Sequence, residues 1–274
     1  MLRLCGRVRL HWTDTDCAEV LLSLSLKWKG DHKMFYFLVA PFLVYNGLLI
    51  AAAVIPAVFL MVKVYRSDKL ERESPYMLWS LIKAGIFSSL LALLEERILS
   101  VILGLVVSHN SPLYNIILYF GVVAFAEESS KYILMKRTTW KSFEFNCQYD
   151  GVVYAVFVSL GFALWENISY VMMYGFGTAI VRAVTAIPGH ACFGVFMGIF
   201  YGIAKKLDRR GEEGLSKFMR ILAVVIPALL HGAYDYIATT MSQNGSGYFI
   251  AFVFLMFVIS YILVGRSSRA DRAI

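Results

Sequence analysis

The chain alternates between long apolar runs and short charged connections. The first long run, Phe35 to Val62, contains Pro41 and Pro56 and is long enough to cross a bilayer with tilt or a kink. Others follow at Met77 to Val107, Leu113 to Met135, Gly151 to Tyr174, Phe176 to Ala204, Phe218 to Met241 and Tyr248 to Val264. These runs are too long and too uniformly apolar for barrel strands, and a backbone inside hydrocarbon must satisfy its own hydrogen bonds. The pattern predicts an all-α fold, a polytopic helical membrane protein with about seven transmembrane helices. Residues 34–265 form one membrane-embedded domain, between a polar, basic N-terminal tail (1–33) and a basic C-terminal tail (266–274).

Composition supports this reading. Of 274 residues, 59% are hydrophobic, mean hydropathy is +0.65, and only 16% are charged, against roughly 25% in soluble proteins. The net charge of +7 sits between apolar runs, where it reports topology, so no nucleic-acid partner is expected. The loop Arg66 to Pro75, the connections after the third and fifth runs and the C-terminal tail carry three, three, five and three Lys or Arg; connections 108–112, 175–177 and 242–247 carry none. By the positive-inside rule the basic side is cytoplasmic, which predicts a multi-pass protein of the cell membrane with its N-terminus outside and its C-terminus in the cytoplasm. The basic N-terminal tail runs against that count. Its apolar patch, Val20 to Leu26, is too short to span, and a chain opening at Met34 is expected to insert and function normally. The four cysteines form neither a C-x-x-C nor a zinc-type spacing.

Polar residues inside the runs carry the chemistry. Glu127 and Glu128 fall about 14 residues from the outer end of the third run, roughly 21 Å down at ~1.5 Å per residue. A carboxylate there costs at least ~2.5 kcal/mol, so such groups normally face other helices or a wet cavity. Lys131 lies one helical turn on, within reach of both. Glu166 and Asn167 fall at similar depth on the fourth run, His190 on the fifth, and His231 and Asp235 on the sixth. Asp235 is one turn from His231 and can hold one ring nitrogen, setting the tautomer that the other presents. Such a set could activate water through a buried glutamate, bind a metal, or pass protons. Glu95-Glu96-Arg97 is a rival acidic pair that reads as an ion pair locking helices.

Four motifs occur in order on successive runs: E-E-x-x-K at Glu127 to Lys131, W-E-N at Trp165 to Asn167, His190 ahead of F-x-G-x-x-x-G, and H-G-x-Y-D at His231 to Asp235. Together they resemble the PrsW family of intramembrane proteases, part of the wider abortive-infection and CAAX prenyl endopeptidase superfamily of glutamate-type membrane proteases. The resemblance implies a membrane-embedded endopeptidase that cleaves a single-pass membrane protein, typically an anti-sigma factor. By the same resemblance Glu127 or Glu128, with His190, activates water and His231 stabilises the oxyanion. Asp235 is expected to orient His231, with Lys131, Glu166 and Asn167 in supporting positions and Asn167 helping to donate to the oxyanion. The acidic motif differs from that of the superfamily, which usually ends in a more distant arginine, and the position of Asp235 is often an asparagine there.

No cofactor and no metal are expected. The H-E-x-x-H of many metalloproteases is absent, no two histidines share a helix face, and Lys131 already brings a positive charge to the acidic pair. The alternative is a proton- or cation-coupled transporter or scaffold using the same buried charges; the lack of paired broken helices and inverted halves weighs against it.

Overall fold

The computed structural model describes residues 14–240 and 246–274, with side chains described for residues 39–240 and 247–274. No strand forms among these residues. The long helices are α1 (Asp14–Ser67), α2 (Pro75–Val106), α5 (Asp150–Tyr174), α7 (Ala186–Arg209), α8 (Glu213–Thr240) and α9 (Ser246–Arg269). Between α2 and α5 lie α3 (Pro112–Ile116), a π-helical stretch (Ile117–Val123) and α4 (Ala124–Thr139); α6 (Phe176–Val184) precedes α7.

Among the described residues, six helical segments are long and apolar enough to cross a membrane. The α3–π–α4 run makes the seventh element of the expected set. It is a broken rod: the π-helical widening ends at Val123, just before the acidic pair. Local signals explain several of the starts. Ser74 caps α2, its Oγ accepting from the Met77 N–H at 3.1 Å with Pro75 in the first turn. Ser111 and Pro112 repeat that arrangement at α3.

Two boundaries differ from the sequence reading. Helix α1 begins at Asp14, so most of the stretch expected as a tail is helical, and no proline interrupts it before Pro41. Residues 1–13 of that tail lie outside the described residues. The run Phe176 to Ala204 is two helices, parted at Thr185 (φ −119°). Pro188 falls in the first turn of α7, where its missing N–H is tolerated, but it cannot donate backward to extend α6. Gly175 (φ 81°, ψ −168°) makes the turn from α5 into α6 in a backbone region that only glycine enters freely.

Helix α5 is the central rod, buried along most of its length between α2 and α7. Close approach depends on small residues. A Cβ at Gly198 or Gly202 of α7 would strike backbone at Gly151 and Val152 or at Gln148, and one at Gly85 of α2 would strike the backbone of Val158 and Gly161. By contrast, α9 and the crossing part of α1 are mostly apolar and exposed, as lipid-facing helices are.

The C-terminal segment docks on the basic end. Gln148 N–H donates to Arg272 O (3.1 Å), Ile274 N–H to Asn146 O (2.7 Å) and Tyr149 N–H to Asp271 Oδ1 (2.8 Å). Asp150 Oδ2 accepts from the N–H groups of Asn146 and Cys147, fixing the entry to α5. Asp68 is buried beside this cluster, and burial together with the nearby Asp271 pushes its carboxyl up to about 6.

Candidate active site

The polar residues of four helices meet in one buried cluster. Helix α4 places Glu127, Glu128 and Lys131 on one face, all buried. Lys131 Nζ donates to Glu128 Oε1 at 2.7 Å and to Glu127 Oε2 at 3.1 Å, and lies 3.2 Å from Nδ1 of His190 on α7. The Phe162 ring faces the same ammonium at 4.0 Å. An ammonium has only protons to offer, so Nδ1 of His190 is the acceptor and Nε2 carries the hydrogen. That Nε2–H donates to Glu166 Oε2 at 2.9 Å.

His231 on α8 is held differently, because both of its ring nitrogens face carboxylates. Nδ1 lies 3.0 Å from Glu128 Oε1 and 3.8 Å from Glu127 Oε2; Nε2 lies 3.5 Å from Asp235 Oδ2. Phe193 stacks on its ring at 4.7 Å, and the His190 ring meets it edge-on at 5.4 Å. Gly232 is required beside it: a Cβ there would overlap Phe120 of the π-helical stretch at 2.6 Å. The glycine of H-G-x-Y-D thus lets α8 press against the segment that leads into the acidic pair.

The two glutamates are not equivalent. The Glu128 side chain is fully buried, with Oε1 shared by Lys131 and His231 and Oε2 without a partner; the Glu127 side chain keeps 9% of its surface accessible. Of these two, only Glu127 can be reached from outside the cluster.

A family model described as PrsW family intramembrane metalloprotease matches residues 73–263. This chain belongs to the PrsW family. It is 31% identical over 196 residues to Protease PrsW of Bacillus subtilis (strain 168), covering 71% of this chain and 84% of that protein. It is 32% identical over 195 residues to Protease PrsW of Oceanobacillus iheyensis, covering 71% and 85%. It is 28% identical over 221 residues to that of Shouchella clausii, covering 81% and 97%. No solved structure matches. The PrsW membership makes the chain a multi-pass membrane peptidase, a hydrolase with a protein substrate in the membrane, and displaces the transporter reading.

The family description implies a metal, and one group of donors could hold it. One ligand atom each from Glu127, His190 and His231 lies within 4.8 Å of the others. Two imidazoles and a carboxylate suit a divalent ion such as zinc, and each imidazole has a carboxylate at its other nitrogen, as metal-bound histidines commonly do. The donor chemistry therefore fits. Lys131 competes with it, because its ammonium already lies against Glu127 and His190.

Most of the residues singled out from sequence gather here: Glu127, Glu128, Lys131, Glu166, His190, His231 and Asp235. Asn167 does not. Its Nδ2 donates to Ala53 O at 3.3 Å and its Oδ1 accepts from Arg182 Nε at 2.8 Å, so it ties α5 to α1 and α6 and is not free to help an oxyanion. The Glu95-Glu96-Arg97 triplet also departs from expectation. Arg97 is exposed and forms no ion pair among the described residues, while Glu95 Oε2 accepts from Ser130 Oγ at 3.2 Å. Glu96 lies within electrostatic range of His231, Lys131, Asp235 and Glu166. Cys192 is packed with Phe193 and Met256.

Arg182 on α6 was missed. Its Nη2 lies 3.0 Å from Glu166 Oε2, the oxygen that holds His190, and its guanidinium lies 4.1 Å over the Tyr170 ring. The signal was present: an arginine inside an apolar run seldom lacks a buried partner.

Proposed function

We propose that the chain hydrolyses a peptide bond of a single-pass membrane protein of the anti-sigma-factor kind, with Glu127 as the base that activates water. The accessible edge of Glu127, beside a Glu128 side chain that is fully buried, carries this reading. Glu127 takes a proton from water as the oxygen attacks the scissile carbonyl carbon. The resulting oxyanion is met by a ring N–H of His231; Nε2 suits this role because Asp235 holds it at only 3.5 Å. The carbon–nitrogen bond then breaks and the proton on Glu127 passes to the departing amine. His190 has both nitrogens engaged, so it acts by positioning Lys131 and not as a second base. Lys131 supplies fixed positive charge that offsets the paired carboxylates in a medium where unpaired charge is costly. The basic connections and C-terminal segment face the cytoplasm in this reading.

A second reading rests on the 4.8 Å grouping of Glu127, His190 and His231. These three would hold a divalent metal, which would supply Lewis-acid polarisation of the carbonyl. Lys131 would then have to leave Glu127 and His190. The two readings part on one experiment: purified protein reconstituted with candidate single-pass substrates, assayed before and after exhaustive chelation, with metal content measured. Cleavage that survives chelation and disappears in Glu127→Gln supports the glutamate base. Cleavage lost on chelation and restored by zinc, with about one metal per chain, supports the second reading.

A further inference from the structure

A cavity of about 560 Å³ opens between α1, α7 and α9, away from the catalytic face. Its inner wall is apolar, with Leu60 of α1, Val195 of α7 and Phe257 of α9. Its rim carries Lys63 and Arg66 from the end of α1, Lys69 just beyond it, and Arg269 from the end of α9. Among the described residues none of these four forms an ion pair. Lys63 Nζ rests 4.8 Å over the Tyr261 ring, and Arg269 Nε donates to Gly265 O at 3.0 Å, which leaves the rest of its guanidinium open. Neither neighbouring acid lines the recess: Asp68 is buried, and Asp271 Oδ1 accepts from the N–H groups of Tyr149 and Arg272.

The positive-inside rule explains why cations lie at this end of the bundle. It does not explain why four of them, from two helix ends and the residues just after one of them, ring one apolar recess without a carboxylate in its lining. We propose that the recess binds one anionic phospholipid, its phosphate among Lys63, Arg66, Lys69 and Arg269 and an acyl chain laid along the apolar wall. Charge at the rim matches the headgroup, and the apolar depth below it suits a chain that a free anion lacks. Basic pockets between membrane helices at the headgroup level bind lipid in this way. The walls come from the exposed helices α1 and α9, so a lipid enters from the bilayer without opening the protein.

The test is a titration of the purified full chain in neutral detergent, read by native mass spectrometry, with phosphatidylglycerol, phosphatidylcholine and inorganic phosphate as probes. One saturable phosphatidylglycerol per chain is expected, with phosphatidylcholine and phosphate at least about tenfold weaker. A cation near an anionic headgroup contributes about a factor of five, so K63Q/R66Q/R269Q should weaken phosphatidylglycerol by roughly a hundredfold. K136Q/R137Q, which removes two cations elsewhere, should leave it unchanged. Val264→Trp keeps every charge and fills the recess, so it should also lose the lipid even if the triple variant folds poorly. Equal binding by the triple and control variants, unchanged binding by Val264→Trp, or equal affinity for phosphatidylcholine or for phosphate would each overturn the proposal.

Discussion

Lys131 Nζ lies 3.2 Å from Nδ1 of His190 on another helix while holding both Glu127 and Glu128. One ammonium therefore binds the acidic pair of α4 to the histidine of α7. It also fixes the tautomer of His190, because a nitrogen facing an ammonium must accept. In a buried site this cation cannot be replaced by water.

Removing it should be severe. Lys131→Met leaves two carboxylates in a closed pocket without their common partner, a loss of about 3–5 kcal/mol for breaking a buried pair. Lower thermal stability and undetectable cleavage are expected together. Lys131→Arg should recover stability but little activity, because a guanidinium is planar and larger. A fully active, normally stable Lys131→Met protein would refute this role.

The glutamates should separate by phenotype. Glu127→Gln should keep near-normal stability and lose about 10²–10⁴-fold in turnover, the range for losing a general base. Glu128→Gln should lose both activity and stability, since its Oε1 serves Lys131 and His231 at once. Cleavage rates beside melting temperatures for both variants decide the matter; the roles are reversed if Glu128→Gln is the stable, inactive one.

Arg182 should act through Glu166. Without the guanidinium at 3.0 Å, Glu166 is free to turn away from His190. Arg182→Gln is expected to lower kcat about tenfold with a smaller change in KM, and Arg182→Lys to restore part of it. The ring-nitrogen NMR signals of His190 should shift in Arg182→Gln. Unchanged signals with reduced activity would place the effect in folding instead.

The Asp68 carboxyl gives a pH dependence with a defined sign. Its value rises from 3.8 to about 6 because burial and Asp271 disfavour the charged form. Its neutral form is thus favoured in the folded state, so its contribution is full below pH 4 and is lost as pH rises through 6. Acidification from pH 7 to pH 5 should raise the hydrogen-exchange protection factors, rates relative to those of the unfolded chain at the same pH, around residues 268–274. Asp68→Asn should abolish that dependence and be the more stable form at pH 7. A dependence that survives the substitution would assign it to another group.

Helix packing offers a further check. Gly198→Leu places a side chain where Gly151 and Val152 already stand, so α5 and α7 must separate. Loss of folded protein is expected, whereas Gly177→Leu, where a Cβ meets nothing within 4 Å, should be tolerated. Yields and melting temperatures of the two variants test this.

The sequence by itself determined the helical, multi-pass class and most of the cluster. Apolar runs of spanning length admit only helices, and an ionisable residue inside such a run stands out because burying it is costly. Glu127, Glu128, Lys131, His190 and His231 were legible for that reason, and the motif order carried the family. Tertiary structure alone decided which partner each group takes. Asn167 reads as a site residue by position, yet its amide is spent on Ala53 and Arg182. Glu95-Glu96-Arg97 reads as an ion pair locking helices, yet Arg97 is exposed and forms no ion pair among the described residues, and Glu95 accepts from Ser130. The break at Thr185, which turns α6 and brings Arg182 to Glu166, lies inside a continuous apolar run. Hydrophobicity fixes that a segment is buried in a membrane; the angle at which a side chain leaves its helix, and what meets it there, comes only from how the helices pack.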